Sequence, residues 1–210
     1  MMQTMRGTNR TYGGRRRFVW GLGASLILVG GAAVALPHGS ARASAPVTTT
    51  SRTARVAATP GGDIPDSAVY LRYTGRGFSI EYVEGWLQTT VAHGVTFTDK
   101  DSSVAVDLRP RLGGDLSAYV QGTDLPQLAR TPGFQRESLA RDAVGGYRAL
   151  RLTYRGQSAP DAVTGKTVVL QIDRYYVQGP RALAVITLAT PTGVDNVDGF
   201  RRIAHSFRFR

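Results

Sequence analysis

The chain has 210 residues, which allows one ordinary domain with appendages and excludes two large domains. Its 42% hydrophobic, 20% charged and 9% aromatic residues lie near the globular average, excluding collagen-like, wholly disordered and multi-span membrane classes. The absence of Cys removes disulfides, thiolate metal sites, thiol catalysis and lipidation of a leader Cys.

The net charge of +11 is uneven: residues 1–43 hold Arg6, Arg10, Arg15, Arg16, Arg17 and Arg42 and no acid, leaving 20 basic against 15 acidic residues elsewhere, an excess of +5. Arg outnumbers Lys 24 to 2, which reads as compositional bias ahead of a set of phosphate or carboxylate forks.

From Phe18 to Leu36 the chain is uncharged, after Arg15-Arg16-Arg17 and before Ala41-Arg42-Ala43. Basic, apolar and small residues in that order make the secretory pattern. Gly14-Arg15-Arg16-Arg17-Phe18-Val19 also resembles a twin-arginine signal, which is an address read by a receptor. Residues 1–43 are therefore expected to be an export leader, cleaved after Ala43. The segment 18–36, spanning ~28 Å as a helix, also fits an uncleaved anchor with its N-terminus in the cytoplasm. Residues 44–67, rich in Ala, Thr, Ser and Pro, are expected to be a disordered linker, because they bury too little to offset backbone ordering. The domain is then 68–210.

Strand patterns dominate that domain: Val69 to Tyr73, Phe78 to Tyr82, Val95 to Thr98, Val104 to Leu108, Phe134 to Ala140, Tyr147 to Tyr154, Thr167 to Val177, Ala182 to Ala189 and a closing Phe207 to Phe209. Tight turns are expected around Gly75 and Gly77, at Asp99-Lys100-Asp101-Ser102, at Gly145-Gly146 and at Gln178-Gly179-Pro180-Arg181. Two segments have helical spacing. Asp115 is the expected N-cap for Leu116, Tyr119 and Val120, with Pro126 dividing this helix from a further turn through Leu128. Val194, Val197, Phe200 and Ile203 recur every third residue, with Asp195 and Asp198 early and Arg201 and Arg202 late, as the helix dipole favours. The expected fold class is α+β, an antiparallel sheet of about six to eight strands layered with helices.

Gly77-Phe78-Ser79-Ile80-Glu81-Tyr82-Val83-Glu84-Gly85-Trp86 resembles the opening signature of PsbP-like domains, with Val83 where the family's turn usually has Pro. Gly146-Tyr147-Arg148-Ala149 resembles the entry to their central strand. Ala189-Thr190-Pro191, the helix with Phe200 and Ile203, and Ser206-Phe207-Arg208 resemble their closing strand, helix and strand. The resemblance covers roughly the last two thirds of the chain and implies an α-β-α sandwich. Plant members of the family are photosystem II subunits, another branch binds a small GTPase, and many bacterial members are exported. A shared fold does not transfer function.

No catalytic, cofactor or metal residues are expected. His93 falls in a loop and His205 at a helix end, and no Gly-x-Ser-x-Gly occurs. Asp99 and Asp101 open like a calcium loop, but Val104 and Pro110 stand where Gly and Glu are needed. Gly165-Lys166-Thr167 ends like a P-loop but leads into a strand and reads as a turn. The one cluster that suits an anionic or aromatic ligand is Arg148, Arg151, Arg155, Arg174, Tyr175 and Tyr176; its alternative is cross-strand pairing with Asp173. The reading is an exported non-enzymatic binding or accessory domain, secreted or tethered, engaging a protein or envelope component, and membrane-bound if the leader stays. A hydrolase with an unrecognised site and an electrostatic binder of an anionic surface are the alternatives. A buried pocket joining His93 or His205 to an acid would favour the hydrolase. Nucleic acid is not an expected partner, since no recognition motif occurs.

Overall fold

A computed structural model describes residues 62–210. The expected leader 1–43, with its apolar segment and the Ala43 cleavage point, and most of the expected linker lie outside the described residues. Among the described residues no helix is long and apolar enough to cross a membrane.

The strands are β1 (Tyr70–Gly75), β2 (Phe78–Val83), β3 (Leu87–Val91), β4 (Gly94–Asp99), β5 (Ser102–Pro110), β6 (Gln135–Val144), β7 (Tyr147–Gln157), β8 (Val169–Gln178), β9 (Ala182–Pro191) and β10 (Arg208–Phe209). The helices are α1 (Leu116–Tyr119), α2 (Leu125–Leu128) and α3 (Val197–His205). All sheet pairings are antiparallel, and the class is α+β.

One expectation is corrected at this level. The strands form two sheets, a seven-stranded one ordered β3-β4-β5-β9-β8-β7-β6 and a three-stranded one ordered β1-β2-β10. Hairpin signals identify which strands are sequential neighbours, but not which sheet a hairpin joins. The β1–β2 hairpin is sealed by the C-terminal strand, with Arg208 opposite Ser79 and Phe209 opposite Phe78.

The large sheet has an apolar surface on each side. On one side Val95, Phe97, Val104, Val106, Tyr175, Ile186 and Leu188 pack with Phe78 and Ile80 of β2 and with Phe200 and Ile203 of α3. On the other, Leu150, Leu152, Tyr154, Ile172, Tyr176, Leu183 and Val185 meet Val120, Leu116, Tyr119 and Leu125 of the helical segment. Period-two alternation along β7, β8 and β9 produces both surfaces from single strands. Each large side chain buried in these layers contributes roughly 1.5–3 kcal/mol.

β3 was not expected from the sequence. All five of its residues are exposed and Leu87 is 66% accessible, so this edge strand carries no alternation to read. The helical segment also differs from expectation. Asp115 does cap α1, accepting from the Ala118 amide at 2.8 Å. Pro126, however, does not break the chain into separate helices; Val120–Asp124 forms a π-helical turn that runs directly into α2. A Pro lacks the amide that would continue the ladder, and widening the preceding turn accommodates it. In α3 the buried stripe is Phe200, Ile203 and Ala204, while Val197 is exposed and Val194 precedes the helix.

Two turns need their glycines. The β6–β7 hairpin closes through Gly145 and Gly146 at φ 61° and 84°, the left-handed pair that a two-residue turn requires. In the Val83–Trp86 turn, where the Trp86 amide donates to the Val83 carbonyl at 3.2 Å, Gly85 takes φ 85°. That turn therefore closes with Val83 at its first position.

Candidate functional site

The sheet divides the six residues of the suspected ligand cluster. In the β7–β8 register Leu150 stands opposite Tyr176, Arg151 opposite Tyr175 and Leu152 opposite Arg174. Arg148, Arg174 and Tyr176 thus point to the helical side, and Arg151, Arg155 and Tyr175 to the other. Arg155 pairs with Glu137 at 2.9 Å. Asp173, the acid expected to pair with Arg, instead accepts from the Thr153 hydroxyl at 2.7 Å.

Arg174 and Tyr176 are consumed by a buried network around Asp124, a residue that no sequence pattern singles out. The π-turn carries Asp124 down onto the sheet. There its carboxylate accepts from Arg109 Nη1 at 2.8 Å, from Arg174 Nε at 3.1 Å and from the Tyr176 hydroxyl at 2.6 Å. Arg109 also donates to Asp107 at 2.9 Å and to the Tyr119 hydroxyl at 2.8 Å, and Arg174 to Thr187 at 2.8 Å. Side-chain exposure is 5% for Asp124 and 13% for Arg174. Burial pushes the Asp124 carboxyl up, but Arg174, Tyr176 and Arg109 outweigh burial and hold it below the ordinary carboxylate range. Burial raises the Tyr176 hydroxyl far above the usual tyrosine value, so it remains a proton donor. Every member has its partners within the network, which fastens the helical segment to the sheet.

Of the other members, Arg151 has a buried Nε without a hydrogen-bond partner, and Arg148 is exposed. Arg148 lines a groove of about 720 Å³ between α1 with the π-turn and the outer strands β6 and β7, together with Arg136, Arg141, Leu116, Leu139 and Leu150. The β6–β7 register sets Arg136 opposite Tyr154, Leu139 opposite Leu152 and Arg141 opposite Leu150. A bulge between Arg136 and Ser138 keeps Arg136 on the same side as Leu139 and Arg141. Arg136, Arg141 and Arg148 take part in none of the ion pairs among the described residues. The two acids at the groove are already bonded to backbone, Asp115 to the Ala118 amide and Asp142 to the Ala143 amide at 2.7 Å. Guanidinium groups above an apolar floor can hold an anionic group and an adjacent apolar one together.

The histidines are elsewhere. His93 lies in the β3–β4 turn and lines a separate pocket of about 450 Å³ with Tyr73, Arg76, Phe78, Val91 and Leu108, where no carboxylate contributes to the lining. His205 ends α3 with its ring edge-on to Tyr175 at 6.2 Å. Asp99 and Asp101 bracket the β4–β5 turn, where Lys100 takes φ 51°. Among the described residues no group of three His, Cys, Asp or Glu is placed to hold a metal ion. Gly165-Lys166-Thr167 lies in the β7–β8 loop, in which Asp161 accepts from the Val163 and Thr164 amides.

No family model matches this chain, and no curated protein matches it. The chain is similar to PsbP-like structures. A cyanobacterial PsbP from Synechocystis sp. PCC 6803 is 18% identical over 72% of this chain and 99% of its own, with a TM-score of 0.47. The LpqN protein of Mycobacterium tuberculosis, described as involved in cell envelope biogenesis, is 15% identical over 68% of this chain and 90% of its own, with a TM-score of 0.43. A Ran-binding protein of Saccharomyces cerevisiae is 12% identical over 67% of this chain and 94% of its own, with a TM-score of 0.45. These likenesses transfer no ligand and no activity to this chain.

Arg136 and Arg141 escape a reading of the sequence because the bulge puts them out of strict alternation with each other. The available signal is their position on either side of Leu139, in a strand preceding the Gly145-Gly146 turn. Asp124 gives no signal, since its role depends on a π-turn that no local periodicity announces.

Proposed function

We propose that this is a non-enzymatic binding domain whose β6–β7 groove takes an anionic group of a partner molecule, and that the domain is delivered outside the cytoplasm by its N-terminal leader. The observation that carries the binding reading is the groove itself: Arg136, Arg141 and Arg148 have no acidic partner and share an apolar floor of Leu116, Leu139 and Leu150. Arg109 and Arg174, on the same side of the sheet, are instead paired with Asp124. The export reading is supported by the order of the Arg15-Arg16-Arg17 cluster, the apolar segment 18–36 and Ala41-Arg42-Ala43.

The binding reading is tested by titrating the 62–210 fragment with a short acidic peptide. Binding should weaken with added salt, because the contacts are solvent-accessible charges, and should be lost in the R141E/R148E variant. Retention of full affinity by that variant overturns the reading. Cell fractionation with mass spectrometry of the native N-terminus tests delivery, and recovery in the cytosol with an intact leader overturns it.

A further inference from the structure

β6 is an edge of the seven-stranded sheet, bonded to β7 on one side only. In the two-residue hairpin at Gly145-Gly146, Val144 and Tyr147 face each other across the loop and form the hydrogen-bonded pair. Alternation of the antiparallel ladder then turns the backbone groups of Leu139, Arg141 and Ala143 outward. The Ala143 amide is taken by the Asp142 carboxylate at 2.7 Å. The outward backbone of Leu139 and Arg141 has no partner among the described residues. Exposed ladders of this kind are usually blunted by charge. On the face of β6 shared with Leu139 the charges are Arg136 and Arg141, which flank that apolar residue, while Asp142, which also lines the groove, is bonded to the Ala143 amide.

Resting on the groove reading above, we propose that the partner is an extended acidic peptide segment that adds as a strand along the outer edge of β6. An incoming strand lies about 4.8 Å from the edge and presents alternate side chains to one side. Residues directly opposite on neighbouring strands interact, and opposite charges stabilise the pair. The matching segment therefore reads acid, apolar, acid at every second position, with the apolar residue over Leu139 and the carboxylates at Arg136 and Arg141. The β6 bulge absorbs the additional residue between Arg136 and Leu139. Arg148, on the next strand inward, adds a further cation to the same groove. Main-chain bonds supply affinity in such additions, and the alternating side chains supply selectivity. An anionic membrane surface would engage the guanidinium groups but has no use for the β6 backbone.

The test uses the full chain and a capped peptide, Thr-Glu-Thr-Val-Thr-Glu-Thr, with an otherwise identical peptide N-methylated at the two backbone amides that face β6. Binding of the parent peptide should slow amide exchange at Leu139 and Arg141 and leave Ala143 unchanged. The N-methylated peptide should bind at least about tenfold more weakly, the effect of losing two main-chain hydrogen bonds. Because that change lies in the peptide, the folding of the domain is not at issue. If both peptides bind equally and R141E/R148E loses both, strand addition is overturned while the groove reading stands. If R141E/R148E binds the parent peptide unchanged, or if neither peptide binds while phosphatidylglycerol vesicles do, the peptide proposal is overturned.

Discussion

The Tyr176 hydroxyl donates to Asp124 Oδ2 at 2.6 Å across the gap between β8 and the π-turn, joining a residue at the centre of the sheet to one in the overlying helical segment. Y176F keeps the ring and removes the donor. It should lower stability by about 1–3 kcal/mol, the cost of leaving a buried acceptor short of a partner. D124N leaves Arg109 and Arg174 facing a neutral amide and should cost more, about 3–5 kcal/mol. Urea unfolding of the 62–210 fragment measures both, and the order of the two variants is the decisive result.

The same carboxylate makes stability depend on pH. Its native pKa lies below the ordinary aspartate value. The folded state therefore gains stability from Asp124 that is fully present above the unfolded-state pKa of about 3.9 and is lost as pH falls through the lower native value. The stability difference between the parent chain and D124N should hold steady from pH 7 to pH 5 and shrink below about pH 4. Thermal unfolding at a series of pH values tests this. A gap that widens on acidification would mean that the native carboxyl is harder, not easier, to ionise than the unfolded one.

Arg136, Arg141 and Arg148 should behave in the opposite way to Asp124. Single substitutions to Glu at these positions should change unfolding stability by no more than about 0.5 kcal/mol, as expected of exposed side chains without partners, while weakening the binding of acidic peptide. A pronounced loss of stability in any of the three would mean that it holds the fold together.

Gly94 should tolerate no side chain. A Cβ there would fall on the Val106 carbonyl oxygen, an atom of the β4–β5 ladder that cannot withdraw without breaking the sheet. G94A should cost about 1–3 kcal/mol or more and should be visible as a lower melting temperature. G122A, at an exposed helical position with open space around its added carbon, is the contrasting control and should raise stability by about 0.4–1 kcal/mol.

Much of the architecture is legible from residue pattern. β4, β5, β7, β8 and β9 alternate or run apolar because the large sheet is covered on its faces, β2 does so because it packs on that sheet, and the Asp115 cap declares α1. The split into two sheets is hidden, because Phe78 and Ile80 look like any core strand and only their packing against β4, β5 and α3 separates them. β3 is hidden for the reverse reason, having nothing buried. The suspected cluster from Arg148 to Tyr176 joins neighbours in sequence that the pleat sends to opposite sides, and the Arg–Tyr adjacency of 174 to 176 serves Asp124. Arg136 and Arg141 become neighbours only once the β6–β7 register and its bulge are known.

Asn196 stands at the N-cap of α3, yet its side chain is turned elsewhere. Its Oδ1 accepts from the Ile64 amide at 2.6 Å, while its Nδ2 donates to the Gly62 carbonyl and to the Thr190 hydroxyl, both at 3.0 Å. The final stretch of the expected linker, residues 62–67, is therefore held against the domain, with Ile64 packed on the core. Any tension arriving along the preceding chain is received by the Asn196 carboxamide, by Asp63, which accepts from the Asp195 amide at 3.0 Å, and by the packing of Ile64, and is passed to β9 and the start of α3, at a distance from the groove by β6.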